Sequence, residues 1–304
     1  MRHPLLCAET KLEIFVKHEN HNPTGSFKIR GGLNLVASLT AEERRGVIAA
    51  TTGNHGQSIA LACQREGVPC TIVVPTGNNP DKNAAMRAFG ANLIEFGRDY
   101  DEARERVEQM QKETGLRYIH SANEPMLIAG VATYALEIFN ELPDADVILV
   151  PIGGGTGACG CTIVRSGLGR ATKIIGVQTE RADAFARSWH GGVRVTGNKA
   201  DTFADGMATR VTFDLTFGIL ATELDDVVTL SEAELAEGVR LAIRTTHNLA
   251  EGAGAAALMA AKKMGDALQG KKVVSVMTGG NIDTETLRKI LQRSPLSASS
   301  PALP

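Results

Sequence analysis

The chain contains no cysteine pair spaced CxxC, and no uninterrupted apolar run of the roughly 18 residues that a membrane-spanning helix needs. Its five cysteines are Cys7, Cys63, Cys70, Cys159 and Cys161. Cys159 and Cys161 stand two apart with no matching His/Cys pair nearby, which argues against zinc and reads as reduced structural thiols in a cytoplasmic protein. The first residues, MRHPLLCAETKLEIF, offer no apolar stretch long enough for a signal peptide. Charge of one sign is also missing: 32 Lys and Arg against 34 Asp and Glu leave a net charge of -2. That balance gives no electrostatic case for nucleic acid or an anionic membrane surface as partner. There is no internal repeat and no long linker.

What is present is a 304-residue chain, 43 % hydrophobic, with a mean hydropathy of -0.05. This length implies one large or two closely packed α/β domains. Short β-rich runs (LEIFVK, GVIAATT, CTIVVP, NLIEF, RYIHS, DVILVPI, KIIGVQ, KKVVSVM) alternate with helical segments such as QSIALACQREG, DEARERVEQMQKE and EPMLIAGVATYALEIFNEL. SEAELAEGVRLAIRTTHN is another, and Ser231 with Glu234 forms a capping box at its start. Alternation of this kind predicts largely parallel sheets covered on both faces.

In such folds ligands sit beyond the carboxyl ends of the strands, where glycine turns lead into helices. Four turns qualify. His18 to Lys28 follows LEIFVK and delivers a lysine to a predicted helix start, where the helix end and desolvation both lower an amine's pKa. Such a lysine suits Schiff-base chemistry, although a lone lysine there is more often a solvated surface residue. Thr51 to Gln57 (TTGNHGQ) follows GVIAA and offers backbone amides and hydroxyls to a carboxylate or phosphate. Read alone, it is an ordinary turn capped by Asn54, with His55 structural. Gly153 to Gly157 (GGGTG) follows DVILVPI and lets the backbone approach a phosphate, with Thr156 as an added donor. Thr278 to Asn281 (TGGN) follows VVSVM, and its hydroxyl is placed to meet a ring nitrogen; by itself it is a tight turn.

One of these turns carries a competing pattern. Gly155, Gly157 and Gly160 spell GxGxxG, and Glu180 lies about twenty residues on, as in dinucleotide-binding units. A nicotinamide-dependent dehydrogenase is therefore a second reading.

Taken together, NPTGSFKIRGG (22–32), TTGNHGQ (51–57), PIGGGTG (151–157), ADGM (204–207), EGAGAAAL (251–258) and MTGGNID (277–283) make the chain similar to the fold-type II pyridoxal-phosphate (PLP) enzymes. The resemblance is to the serine/threonine dehydratase and serine racemase branch, and it spans about His3 to Gln292. It implies a two-domain α/β fold, tryptophan synthase β-like, with a large domain from 1–45 and 124–293 and a small domain from 46–123. A disordered tail, 294–304, is expected to follow. The resemblance places the cofactor on Lys28 with Phe27 near its ring, Asn54 beside its 3′-oxygen and its phosphate on Gly153, Gly154, Gly155, Thr156 and Gly157. Thr278 would meet the pyridine nitrogen and Glu251 would line the site. The substrate carboxylate would fall on Thr51, Thr52, Gly53, Asn54 and His55.

The implied activity is removal of the β-hydroxyl of a small hydroxy-amino acid to give a 2-oxo acid and ammonia. A neutral hydroxyl at the ring nitrogen leaves PLP a weak electron sink, which favours prompt loss of a β-substituent over transamination. Lys28 is the base for the Cα proton. The chain departs from its relatives at three places. In QTERADA (178–184), Gln178 and Ala184 stand where metal-dependent members carry acids, and Asp183 is only adjacent, so no magnesium or calcium is expected. Thr52 replaces the serine that acts as opposite-face acid/base in racemases. Relative to the family, the sequence is expected to begin after an N-terminal helix, with no regulatory domain expected after 292. HSANEP (120–125) and the ADGM region leave the substrate open among threonine, serine and bulkier phenylserine- or hydroxyaspartate-like compounds. A racemase or β-replacement enzyme, and a non-catalytic binding protein on the same fold, are the remaining alternatives. The family implies a homodimer.

Overall fold

The computed structural model describes residues 1–292. The expected disordered tail, 294–304, lies outside the described residues. Nine strands are present among them: β1 Glu13–His18, β2 Val47–Ala50, β3 Cys70–Val74, β4 Asn92–Glu95, β5 Arg117–Tyr118, β6 Val147–Pro151, β7 Lys173–Thr179, β8 Asp226–Leu230 and β9 Lys272–Met277. The helices are α1 Pro4–Thr10, α2 Lys28–Ala37, α3 Asn54–Glu66, α4 Pro80–Ala88, α5 Tyr100–Thr114, α6 Pro125–Glu141, α7 Thr156–Gly167, α8 Ala184–Gly191, α9 Asp214–Glu223, α10 Glu232–Thr246, α11 Gly252–Met264 and α12 Thr284–Gln292.

The strands form two sheets, one in the order β1-β9-β6-β7-β8 and the other β4-β3-β2-β5, and every pairing is parallel. Parallel sheets need both faces covered, and β2 and β6 are accordingly buried at every residue. One face of the larger sheet packs with Leu235, Val239, Leu258 and other residues of α10 and α11. The opposite face packs against Tyr134, Phe139, Cys159 and Phe185 of α6, α7 and α8. Each fully buried branched side chain contributes about 1.5–3 kcal/mol of transfer free energy. The smaller sheet is covered by α3 and α4 on one face and by Ala103 and Val107 of α5 on the other. All of its strands fall within 46–123, which supports the sequence-derived domain boundaries; we propose those boundaries for the chain.

Two sequence expectations need correction. β8 was not foreseen: it is an edge strand paired only with β7, and its burial is irregular, so neither a continuous apolar run nor strict alternation marks it. RYIHS supplies only the two residues of β5, because its sole neighbour β2 pairs with Arg117 and Tyr118 alone. The capping box is present: Ser231 Oγ accepts from Glu234 N at 3.3 Å, and Glu234 Oε2 accepts from Ser231 N at 2.8 Å.

Candidate active site

All four glycine-bearing turns leave the carboxyl ends of parallel strands, β1, β2, β6 and β9, and line one cleft. The segment before Lys28 is stitched to the end of β9. Glu19 N donates to Met277 O at 3.0 Å and Phe27 N to Thr278 O at 2.9 Å. Lys28 is thereby held at the first position of α2, and its Nζ donates to Thr156 Oγ1 at 3.2 Å. Burial lowers the amine pKa to about 8. Desolvation acts without a neighbouring carboxylate to oppose it, which leaves a lysine able to lose its proton near neutrality. The Phe27 ring meets Tyr134 edge to face, with centroids 6.2 Å apart.

In the turn after β2, Thr51 is buried and its hydroxyl accepts from Gly53 N at 3.0 Å and Gly56 N at 3.2 Å. Its side chain therefore shapes the turn. Asn54 is the first residue of α3 rather than its cap, and its Nδ2 donates to Glu251 Oε1 at 2.7 Å. Asn281 Nδ2 in turn donates to Asn54 Oδ1 at 2.7 Å. Burial raises the pKa of Glu251, and the charge of Lys82 and the Asn54 hydrogen bond oppose that rise. His55 Nε2 lies 3.3 Å from Ile119 O. Its pKa falls to about 3, through burial first and the nearby Lys28 charge second. It is thus a neutral ring at physiological pH. Thr52 and Gly53 face the same cleft.

Gly153 to Gly157 wrap the start of α7, whose N-cap is Gly155 and which has no side-chain cap. Its first amides are left free, as an anion site requires. A Cβ on Gly153 would lie 3.0 Å from the Gly206 carbonyl carbon and closer still to its oxygen, so only glycine allows this approach. Thr278, buried just beyond the end of β9, completes the lining.

The family profile of pyridoxal-phosphate dependent enzymes matches residues 1–279. The chain belongs to that family. It is 40 % identical over 290 residues to an L-threonine ammonia-lyase of Thermotoga maritima, covering 95 % of this chain and 72 % of that protein. It is 36 % identical to a catabolic L-threonine dehydratase of Escherichia coli, covering 92 % of this chain and 86 % of that one. Among solved structures, the processed threonine deaminase isoform 2 of Solanum lycopersicum superposes with a TM-score of 0.91 at 31 % identity, over 96 % of this chain and 86 % of that one. Maize serine racemase does so with a TM-score of 0.89 at 28 % identity, over 96 % and 90 %.

The cleft of this PLP enzyme fits its cofactor. The uncapped start of α7 and the side-chain-free Gly153 make a cradle for a phosphate, and a lysine with a depressed pKa shares the cavity. The residue at the end of β9 is a neutral threonine. The dehydrogenase alternative is overturned by family membership, and the packing shows why its motif misled. A Cβ on Gly160 would lie 2.9 Å from Ala132 Cα, so this glycine serves the contact between α7 and α6. Glu180 is exposed on a 3-10 turn after β7, away from the cleft lining. In the QTERADA segment, Gln178 is buried with its Oε1 accepting from Ala186 N at 2.9 Å, and Asp183 pairs with Arg187 at 2.8 Å. Ala184 is buried at the start of α8.

Sequence reasoning did not single out Lys82, Tyr100, Ser121, Asp205 and Phe213, which also line the cleft. Tyr100 and Ser121 share a hydrogen bond of 2.9 Å. Most of them lie on helices and loops far from the glycine turns, where no local spacing marks them. Asp205 and Ser121 were within reach, inside ADGM and HSANEP.

Proposed function

We propose that the protein is a hydroxy-amino acid ammonia-lyase. It removes the β-hydroxyl of L-threonine, L-serine or a relative such as phenylserine or hydroxyaspartate, giving a 2-oxo acid and ammonia. The observation that carries this reading is the buried amine of Lys28, with a pKa near 8, in a cleft whose β9 end presents the neutral Thr278. The threonine-directed names of the Thermotoga and Escherichia relatives support it.

In this reading Lys28 would hold the cofactor through its amine, with Phe27 beside it. The amides of Gly153 to Gly157 with the Thr156 hydroxyl would take its phosphate and Thr278 would meet its ring nitrogen, while Asn54 and Glu251 also line the cleft. When bound, PLP draws electron density away from the Cα of the substrate. The turn Thr51 to His55 would receive the substrate carboxylate at amides other than Gly53 N, which is bonded to Thr51 Oγ1, and Lys28 Nζ, once released from the cofactor by the substrate amine, would take the Cα proton. Thr52 offers its hydroxyl within the same turn. A neutral His55 adds no positive charge beside Lys28, so the depression of the amine's pKa comes from burial alone.

Incubation with L-serine, L-threonine and L-threo-3-phenylserine should yield 2-oxo acid and ammonia from at least one, with little D-enantiomer in the recovered amino acid. D-enantiomer forming faster than 2-oxo acid on every substrate that turns over would replace the lyase with a racemase.

We also propose a cytoplasmic homodimer. Five free thiols among the described residues support a reducing compartment. Leu136 on α6 and Ile163 on α7, both more than two-fifths exposed, support a subunit contact there. No described helix is long and apolar enough to cross a membrane.

A further inference from the structure

Between α8 and α9 the chain runs through residues 192–213 with one short regular element, the 3-10 turn Asp205–Met207. This stretch leaves the larger sheet's domain yet is tied twice to the smaller one. Lys82 Nζ on α4 donates to Asp205 Oδ2 at 2.6 Å, and Arg210 reaches Asp101 on α5, also at 2.6 Å. Lys82 is only 7 % exposed. A lysine so buried needs a partner, and losing that partner would leave an uncompensated charge.

The local sequence sets Lys82 there. Asn79 caps α4 by accepting from Asp81 N and Lys82 N, and Pro80 fixes the first helical position. The lysine stem then runs beneath the carboxylate turn, where a Cβ on Gly53 would lie 2.7 Å from Lys82 Cδ. Asp205 has an equally specific neighbour. Gly206, the next residue, presses its carbonyl onto Gly153 of the phosphate cradle. One ion pair thus joins the two ends of the cleft. Glu251 and Asp283 also act electrostatically on Lys82, so its position is favoured from more than one side.

We propose that Lys82 and Asp205 are positioning residues. Their pair locks the turn that receives the substrate carboxylate, through Gly53, to the Asp205–Met207 turn that closes the phosphate cradle, through Gly206. This rests on the amino-acid substrate proposed above. Without the pair the turn after β2 keeps its ties to Glu251 and Asn281 at Asn54 but loses the support beneath Gly53, so substrate binding weakens more than the chemical step does.

The test uses PLP-loaded protein with Lys82→Met, Asp205→Asn, the double variant, and the charge-retaining Asp205→Glu. L-alanine, which has no β-hydroxyl to lose, is titrated by calorimetry, and KM and kcat are measured on L-threonine. Each single variant should weaken L-alanine binding by roughly tenfold or more, with KM rising more than kcat falls. The double variant should bind about as well as the weaker single variant, as two partners in one interaction require. Asp205→Glu should recover most of the affinity. Single variants within about twofold of the parent, or losses that multiply in the double variant, overturn the proposal. If Lys82→Met fails to fold, Asp205→Asn decides, because that carboxylate side chain is 43 % exposed. A parent protein that binds no L-alanine overturns the functional reading itself. A parent that binds it with Asp205→Asn unaltered overturns the positioning role alone.

Discussion

Replacing Gly153 by alanine tests the cradle at its tightest point. The new Cβ would stand 3.0 Å from the Gly206 carbonyl carbon and 3.3 Å from Met207 Cα, with the carbonyl oxygen nearer still. These are backbone atoms, so no side chain can swing aside; either the 205–207 turn or the glycine loop must move. Overpacking of this kind costs about 1–3 kcal/mol. If that cost falls on cofactor binding, PLP affinity drops by roughly 5- to 160-fold, since about 1.4 kcal/mol is tenfold. The assay is titration of cofactor-free protein with PLP by absorbance, beside thermal melting of the same samples. Gly154→Ala is a graded comparison, because its Cβ would make its tightest contact with the Ala122 Cβ at 3.3 Å, a side-chain atom, and only ordinary contacts beyond it. Gly167→Ala, with nothing within 4 Å, is the control. The predicted order of loss is Gly153, then Gly154, with Gly167 near the parent. Parent-like affinity and melting for Gly153→Ala would refute the claim that the cradle depends on this contact.

Capture of PLP by the cofactor-free protein should accelerate with pH and level off above about 8, because burial lowers the Lys28 pKa to about 8 from 10.5 and only the neutral amine attacks. A half-maximum near 10.5 in stopped-flow traces would contradict the burial of that amine. The sign for stability follows: the unfolded chain binds more protons at this lysine between those two values, so the lysine's contribution to cofactor-free stability grows as pH rises through that window. Asn54→Ala removes the donor to the buried Glu251 and the acceptor for Asn281. It should cost about 1–3 kcal/mol in chemical denaturation, and Glu251→Gln in the same background should recover part of the loss. Exhaustive chelation should leave turnover nearly intact, since Gln178 is committed to Ala186 N and offers no charge. A steep fall that magnesium restores would show a metal site elsewhere.

The sequence was most readable where one residue type had to follow a strand. Lys28, the glycines of 153–157, Asn54 and Thr278 all sit in turns, and turns advertise themselves by composition. β6, β7 and β9 of the larger sheet were visible as apolar runs, because parallel strands buried on both faces leave no alternative, and the edge strand β1 was visible as LEIFVK although only Ile14 and Val16 are buried. β8 was hidden by its edge position. Lys82 and Asp205 were hidden for another reason: they are ordinary charged residues 123 positions apart whose meaning lies only in their meeting. The role of Thr51 was half-visible. Its hydroxyl was expected at the substrate, and the structure spends it on Gly53 N and Gly56 N within the turn. The GxGxxG pattern misled because Gly160 is small for the sake of α6, a helix that spacing along the chain does not bring to mind.

The most direct measurement of the central claim is borohydride reduction of the PLP-loaded protein, followed by proteolysis and mass spectrometry. The account predicts a single pyridoxyl group on Lys28, in the peptide bearing SFKIR, with Lys82 unmodified. A label on Lys82 or any other lysine, or protein that takes up no PLP, would contradict it.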